Sequence, residues 1–394
     1  MDNFTFYSPT YFVFGRDTEK ETGRYVKRFG GTKVLIHYGG GSAVRSGLID
    51  RIKASLDAAG VAHVELGGVK PNPRSGLVYK GIELCKKEGV DFVLAVGGGS
   101  VIDSSKGICI GACYDGDFWD FYKSDRFVEK ALPVGTVLTI PAAGSEGSPD
   151  SVVTHEDGML KRAAHGEPLR PAFSILNPEL TFSLPAYQTA CGATDIMAHV
   201  FERYFTNTPE VEVSDRLCEA LLLTMIKETP RVIEDPCNYE ARANIIWAGT
   251  VAHNDICGVG HAQDWASHSI EHELSAQYDC AHGAGLAVIF PAWMKYVYKH
   301  DTDRFVRFAV NVWGCKKNGT DPEKTALEGI ACVERFFRSI GMPTSFAEIG
   351  AKEEDIPKMA KKCFDEINGD TTIGNFVKLG EKEVADIYRL ALNN

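Results

Sequence analysis

The sequence predicts an α/β domain over residues 1–183 followed by an all-helical domain over residues 184–394, and three observations carry that expectation. The first half alternates short β-branched runs with amphipathic stretches, strand-like runs almost vanish beyond Leu184, and two prolines mark the change in NPELTFSLPAY (177–187). Taken in order, KVLIHY (33–38) predicts a strand, GLIDRIKASLDAAG (47–60) a helix, and VAHVELG (61–67) a second strand. GLVYKGIELCKKEG (76–89) predicts another helix, and DFVLAVGGGS (91–100) a strand that ends in glycine. Apolar runs of this kind, separated by helices, fit a mostly parallel sheet covered on both faces. Beyond the junction, EVSDRLCEALLLTMIKETPRVI (212–233) and PEKTALEGIACVERFFRSIG (322–341) carry helical periodicity.

Composition narrows the function. A net charge of −11 spread along the chain argues against a nucleic-acid partner, and a small-molecule ligand fits better. There is no run of about 18 apolar residues, and MDNFTFYSPTYFVFGRD lacks the basic-then-apolar pattern of an export signal, so a cytoplasmic protein without a membrane partner is expected. The eleven cysteines show no paired CxxC groups and are expected to be reduced; Cys109 and Cys113, four apart in an apolar segment, read as buried thiols.

Ligands of open α/β sheets bind at the strands' carboxyl ends. Two glycine clusters are expected there: Gly39, Gly40, Gly41 and Ser42 after the first strand, and Gly97, Gly98, Gly99 and Ser100 after the third. Without side chains, such a turn brings backbone N–H groups up to a phosphate, and the following helix adds its positive end. The continuation VIDSSK puts Asp103 and Lys106 where a carboxylate and an ammonium could meet ribose and phosphate. Neither cluster is a G-x-G-x-x-G fingerprint. The first carries no acid for a ribose 2′-hydroxyl but has Arg45 nearby, so NADP(H) is expected over NAD(H).

The helical half holds the second candidate site. In CGATDIMAHVFERY (191–204), Asp195 and His199 are four apart with Glu202 on the same face, where it is expected to orient a ligand. In WASHSIEHELSAQYDCAHGAG (265–285), His268 and His272 repeat that spacing and His282 stands beside a glycine. One carboxylate and up to three imidazoles suit Zn or Fe, with a further position left for substrate. A single histidine is more often a hydrogen-bonded structural residue, and that is the reading for His37, His63, His155, His165 and His300; His253 and His261 are placed at most at a pocket wall. It is the clustering of the others that argues for a metal.

Together these residues resemble the iron-containing (group III) alcohol dehydrogenase family, and especially its NADP-dependent butanol dehydrogenase and aldehyde reductase branch. The resemblance spans nearly the whole chain: G-G-G-S-x-x-D-x-x-K from 97 to 106, LTIPAAGSE (138–146), Asp195-x-x-x-His199, and His268-x-x-x-His272 followed by His282. It implies a dehydroquinate-synthase-like fold, a homodimer, and Asp195, His199, His268 and His282 as ligands of a divalent metal, Fe2+ first and Zn2+ second. It implies cofactor contacts at Gly39, Gly40, Gly41, Ser42, Asn72, Gly97, Gly98, Gly99, Ser100, Asp103, Thr139, Ser145 and Lys161. Lys161 resembles a lysine that reaches the nicotinamide, and His272 a nearby non-ligand histidine. One departure is visible: AAGSEGSPDS (142–151) stands where many members carry threonines and a T-G-S-E core.

The expected activity is hydride transfer between NADP(H) and a short to medium-chain alcohol or aldehyde, with the metal polarising the oxygen and His272 starting a proton relay. Aromatic candidates for the substrate pocket are Trp265, Phe201 and Tyr278. The alternatives are a glycerol dehydrogenase-like polyol oxidoreductase and a nucleotide-binding scaffold without catalysis.

Overall fold

The computed structural model describes residues 1–124, 126–364 and 371–392. Six strands form one all-parallel sheet: β1 (Tyr11–Phe14), β2 (Lys33–Gly39), β3 (Ala62–Val69), β4 (Phe92–Gly98), β5 (Val134–Ile140) and the last strand of the unit, Phe173–Leu176. Between β5 and that last strand an antiparallel hairpin is inserted, β6 (Asp150–His155) paired with β7 (Leu160–His165), which makes Phe173–Leu176 β8. The sheet order is β1-β8-β5-β4-β2-β3.

Alternate side chains of each strand serve opposite faces, as a two-fold strand repeat requires. Val34 and Ile36 pack with Leu48, Ile49, Ile52 and Leu56 of helix α3 (Leu48–Ala58), behind α1 (Thr22–Arg28) and the short α2 (Ser42–Arg45). Leu35 and Val93 face the other way, against Val78 and Cys85 of α4 (Ser75–Glu88) and Ile108 and Cys109 of α5 (Gly99–Ala112). All seven residues of β4 are buried, and each large aliphatic side chain removed from water in this way contributes roughly 1.5–3 kcal/mol.

The remaining helices are α6 (Ala186–Tyr204), α7 (Glu212–Glu234), α8 (Tyr239–His253), α9 (Ala266–Tyr278), α10 (His282–Val297), α11 (Thr302–Trp313), α12 (Pro322–Ser339), α13 (Phe346–Ile349), α14 (Ile356–Lys362) and α15 (Glu381–Leu392). The chain divides into two compact units, one of Tyr7–Leu184 with Cys237–Asn254, the other of Met1–Phe6, Pro185–Pro236 and Asp255–Asn394. This differs from a single cut between 183 and 184 at two places. Helix α8 belongs with the sheet, because Ile246 packs with Leu138 and Leu176 and Thr250 Oγ1 donates to Glu146 Oε1 at 2.7 Å. Residues 1–6 belong with the helices, where Asp2 N donates to Gly260 O at 2.8 Å.

Candidate functional site

In the helical unit, Asp195 and His199 lie one turn apart on α6, His268 is the third residue of α9, and His282 is the first of α10. Asp195 Oδ1 is the centre of the group: His199 Nδ1 is 3.6 Å away, His268 Nε2 3.7 Å and His282 Nε2 3.6 Å. Donor atoms bound at about 2.1 Å to one tetrahedral cation stand about 3.4 Å apart, so the spacing suits a single small ion. One donor atom each from Asp195, His268 and His282 lie within 4.8 Å of one another. His199 adjoins this trio through Asp195 and stacks on His268 at 4.8 Å between ring centroids, without joining the mutually close set.

Two buried carboxylates settle the tautomers. Glu202 Oε1 is 3.1 Å from His268 Nδ1 and Glu271 Oε2 lies against His282 Nδ1. Each therefore takes the Nδ1 proton and leaves the Nε2 lone pair toward Asp195, the outer-shell arrangement by which carboxylates aim metal-binding imidazoles. Burial works against a cationic His268, yet hydrogen bonds and charge from Asp195 and Glu202 outweigh it and push the group up to about 9. A site that holds a proton this firmly attracts positive charge. Three buried carboxylates around these imidazoles fit a divalent cation, which would take the place of the His268 proton.

Local packing explains how three helices bring these side chains together. Gly283 passes so close to α6 that a Cβ there would stand 2.1 Å from Cys191 O, and one at Gly285 would stand 2.6 Å from Glu271 Oε1. Bare backbone at both positions lets the start of α10 touch α6 and α9, which delivers His282 to Asp195. Glu202 also accepts from Trp265 N at 2.8 Å and His268 N at 3.0 Å, while Asp264 accepts from Ala266 N at 3.2 Å, so two acids cap the first turn of α9. Trp265, held at φ 65°, sets its ring 5.4 Å from His268 and 6.1 Å from His199. His272 is half-buried, 5.7 Å from His282 and 6.5 Å from His268 between ring centroids.

The sequence sets Glu202 beside the ligands without naming its partner, and in the fold that partner is His268. Glu271, Asp264, Gly283 and Gly285 take their roles only from the fold. Phe201 is fully buried against Phe290 and Phe308, so it is core rather than pocket wall. Tyr278 is tied to Asp355 and Lys352 N.

In the sheet unit, β2 and β4 are adjacent, yet the chain leaves β2 toward β3 and leaves β4 toward β5 on the other side. Both glycine clusters therefore stand at one topological switch point, where open α/β sheets bind ligands. Gly41 sits at φ 119°, which excludes other residues, whereas Gly97 and Gly98 are needed for space: their Cβ atoms would stand 2.4 Å from Val101 Cγ2 and 2.8 Å from Ile140 Cβ. Asn72 is left-handed at φ 50°, Thr139 is the half-buried next-to-last residue of β5, and Lys161 is buried on β7.

Three polar side chains near these loops have partners within the chain. Lys106 is fully buried, and its ammonium donates to Ser145 O and Oγ at 2.8 Å each, Ser148 O at 3.0 Å and Asp150 O at 2.7 Å. Asp103 accepts from Ser145 Oγ at 2.6 Å and Val152 N at 3.2 Å. The polar groups of Asp103, Lys106 and the Ser145 hydroxyl thus pin α5 to the 145–152 segment. His37 is a structural residue, bound to Leu66 O and Ser104 Oγ and pushed down to about 4 by burial. His253 pairs with Asp150 at 3.3 Å, and His261 with Arg203 O at 2.9 Å.

Family models decide between the readings. Residues 9–178 match the iron-containing alcohol dehydrogenase model, and residues 189–392 match the C-terminal model of the Fe-containing alcohol dehydrogenase family. The chain belongs to the iron-containing alcohol dehydrogenase family. It is 43% identical over 392 residues to a probable NADH-dependent butanol dehydrogenase of Bacillus subtilis, covering all of both chains. It is 36% identical over 380 residues to the NADPH-dependent aldehyde reductase YqhD of Escherichia coli, with 95% of each covered. The crystal structure of NADH-dependent butanol dehydrogenase A from Thermotoga maritima superposes with a TM-score of 0.96 at 42% identity, over 100% of this chain and 99% of that one. As a member of this family the chain is an NAD(P)-dependent alcohol dehydrogenase or aldehyde reductase. No described helix is long and apolar enough to cross a membrane.

Proposed function

We propose that this chain interconverts short to medium-chain aldehydes and alcohols, using NADP(H) and one divalent metal held by Asp195, His199, His268 and His282, with Fe2+ ahead of Zn2+. The observation that supports the metal assignment is the convergence of three imidazole nitrogens on Asp195 Oδ1 at 3.6–3.7 Å. The metal supplies Lewis-acid polarisation of the substrate oxygen and the nicotinamide supplies or accepts the hydride. Glu202 and Glu271 keep His268 and His282 in the ligating tautomer, and Asp195 adds the negative charge that favours a cation.

His272 holds the exchangeable proton. Its half-buried ring beside His282 is consistent with passing that proton to water. His272→Ala should lower turnover and move the pH profile, and an unmoved profile would remove the relay. Lys161 and the backbone N–H groups of residues 39–42 and 97–100 bind the cofactor, with Asn72 and Thr139 beside them. The protein acts as a homodimer in the cytoplasm, which light scattering of the purified protein tests for the dimer.

The choice of NADP(H) rests on the neutral end of β2 and on Arg45 in α2. A second reading, NADH, has its own support in the names of the Bacillus subtilis and Thermotoga maritima relatives. Steady-state kinetics with both cofactors separates them: NADPH should give the higher kcat/KM, and an Arg45→Ala variant should lose that preference. A higher kcat/KM with NADH in the unmodified protein would overturn the NADP(H) assignment and leave the metal chemistry standing.

A further inference from the structure

Cys315 and Cys332 lie far apart in the helical periodicity but meet in the fold. Helix α11 ends at Gly314, held at φ 68°, and Cys315 follows in the irregular connection to α12; Cys332 is in the middle of α12. Their sulfurs are 3.8 Å apart. Among the described residues, an Arg335 guanidinium N–H lies 3.0 Å from Cys332 Sγ and the same group pairs with Glu328 at 2.7 Å. Both cysteines are partly exposed rather than sealed in the core.

We propose that Cys315 and Cys332 are a reversible thiol–disulfide pair that staples the α11–α12 hairpin under oxidising conditions. An S–S bond is about 2.05 Å long, so the sulfurs need close by less than about 2 Å, within reach of rotation at Cys315, which lies in the connection outside both helices. The co-reactant is a low-molecular-weight disulfide. Cys332, beside the Arg335 cation, attacks one of its sulfurs as thiolate, which breaks that S–S bond and releases one thiol after protonation. Cys315, kept as a thiol by burial and by the neighbouring sulfur, then gives up its proton to water and attacks the Cys332 sulfur. The second small thiol leaves, so two protein thiols are oxidised and one disulfide is reduced to two thiols. Helix α12 also packs on α10, whose first residue is His282, so the staple braces a helix that supports the metal centre.

The test treats the metal-loaded full chain with oxidised glutathione, blocks residual thiols with iodoacetamide, and maps the peptides by mass spectrometry. Cys237, exposed on the surface, reports that the reagent has acted, through its own mixed disulfide. The expected result is a Cys315–Cys332 cross-linked peptide 2 Da lighter than its parts, reversed by dithiothreitol, and a melting temperature raised by about 5 °C over the reduced protein. In Cys332→Ser the cross-link and the thermal gain should both vanish. Alkylated Cys315 and Cys332 in a sample where Cys237 is glutathionylated would overturn the proposal, as would separate mixed disulfides on the two without a cross-link.

Discussion

Replacing Glu202 with glutamine keeps the shape of the metal centre's support and removes its charge. The fully buried carboxylate accepts three N–H groups, from Trp265 N at 2.8 Å, His268 N at 3.0 Å and His268 Nδ1 at 3.1 Å. A glutamine has one acceptor oxygen, so its amide must face at least one of those donors. The less costly orientation keeps both bonds to His268 and leaves the part-buried Trp265 N without its acceptor, a loss of roughly 1 kcal/mol. Without the carboxylate, the Nδ1 proton of His268 is held less firmly and Nε2 becomes a poorer ligand. Metal affinity should fall roughly 10- to 100-fold, which is about 1.4–2.7 kcal/mol. Chelator-competition titrations with Zn2+, run on metal-stripped wild type and Glu202→Gln, measure this directly, and circular dichroism melts report the cost of the lost cap. Affinity within about twofold of wild type, with an unchanged melting temperature, would refute the assigned role.

Three further outcomes follow from the same geometry. His268 titrates near 9 in the metal-free fold against an ordinary 6.5, so its proton contributes stability that is complete below about 6.5 and is lost as pH rises through about 9. Because a metal must displace that proton, apparent affinity should climb about tenfold per pH unit up to about 9; a flat profile from pH 7 to 9 in the competition titration would show that His268 carries no such proton. Lys106→Met removes the buried donor of four hydrogen bonds and should cost about 3–5 kcal/mol by urea unfolding, whereas a loss under about 1 kcal/mol would mean the ammonium is not structural. Gly98→Ala drives a methyl group to 2.8 Å from Ile140 Cβ and should weaken NAD(P)H binding by about tenfold while leaving metal affinity unchanged; fluorescence titration with both ligands would expose the reverse pattern.

Much of the architecture was legible because it is written in local periodicity. The runs at 33–38, 61–67 and 91–98 correspond to β2, β3 and β4, and the i, i+4 spacing of Asp195 and His199 does put them on one face of α6. What periodicity does not carry is the destination of a side chain. Lys106 reads from sequence as a cation on the first turns of a helix behind a glycine loop; its acceptors come from a segment about forty residues later that folds over it. Helix α8 resembles its neighbours in pattern, and only Ile246 meeting Leu138 and Leu176 assigns it to the sheet. The β6–β7 hairpin, which carries Lys161, had an Asp157-Gly158 turn signal between short alternating runs that sequence reasoning passed over. Glu271 has no such signal, since an acid beside His272 on an amphipathic helix is ordinary until α10 folds back and sets His282 against it.

The Asp195 cluster is proposed to hold the metal on which turnover depends. The most direct test is nicotinamide oxidation at 340 nm with butanal, comparing metal-stripped protein, the same protein reloaded with Fe2+ or Zn2+, and Asp195→Ala under identical loading. Turnover restored by metal in the wild type, together with loss of both bound metal and turnover in Asp195→Ala, is the predicted result; full activity in the metal-stripped protein, or in a metal-free Asp195→Ala, would contradict it.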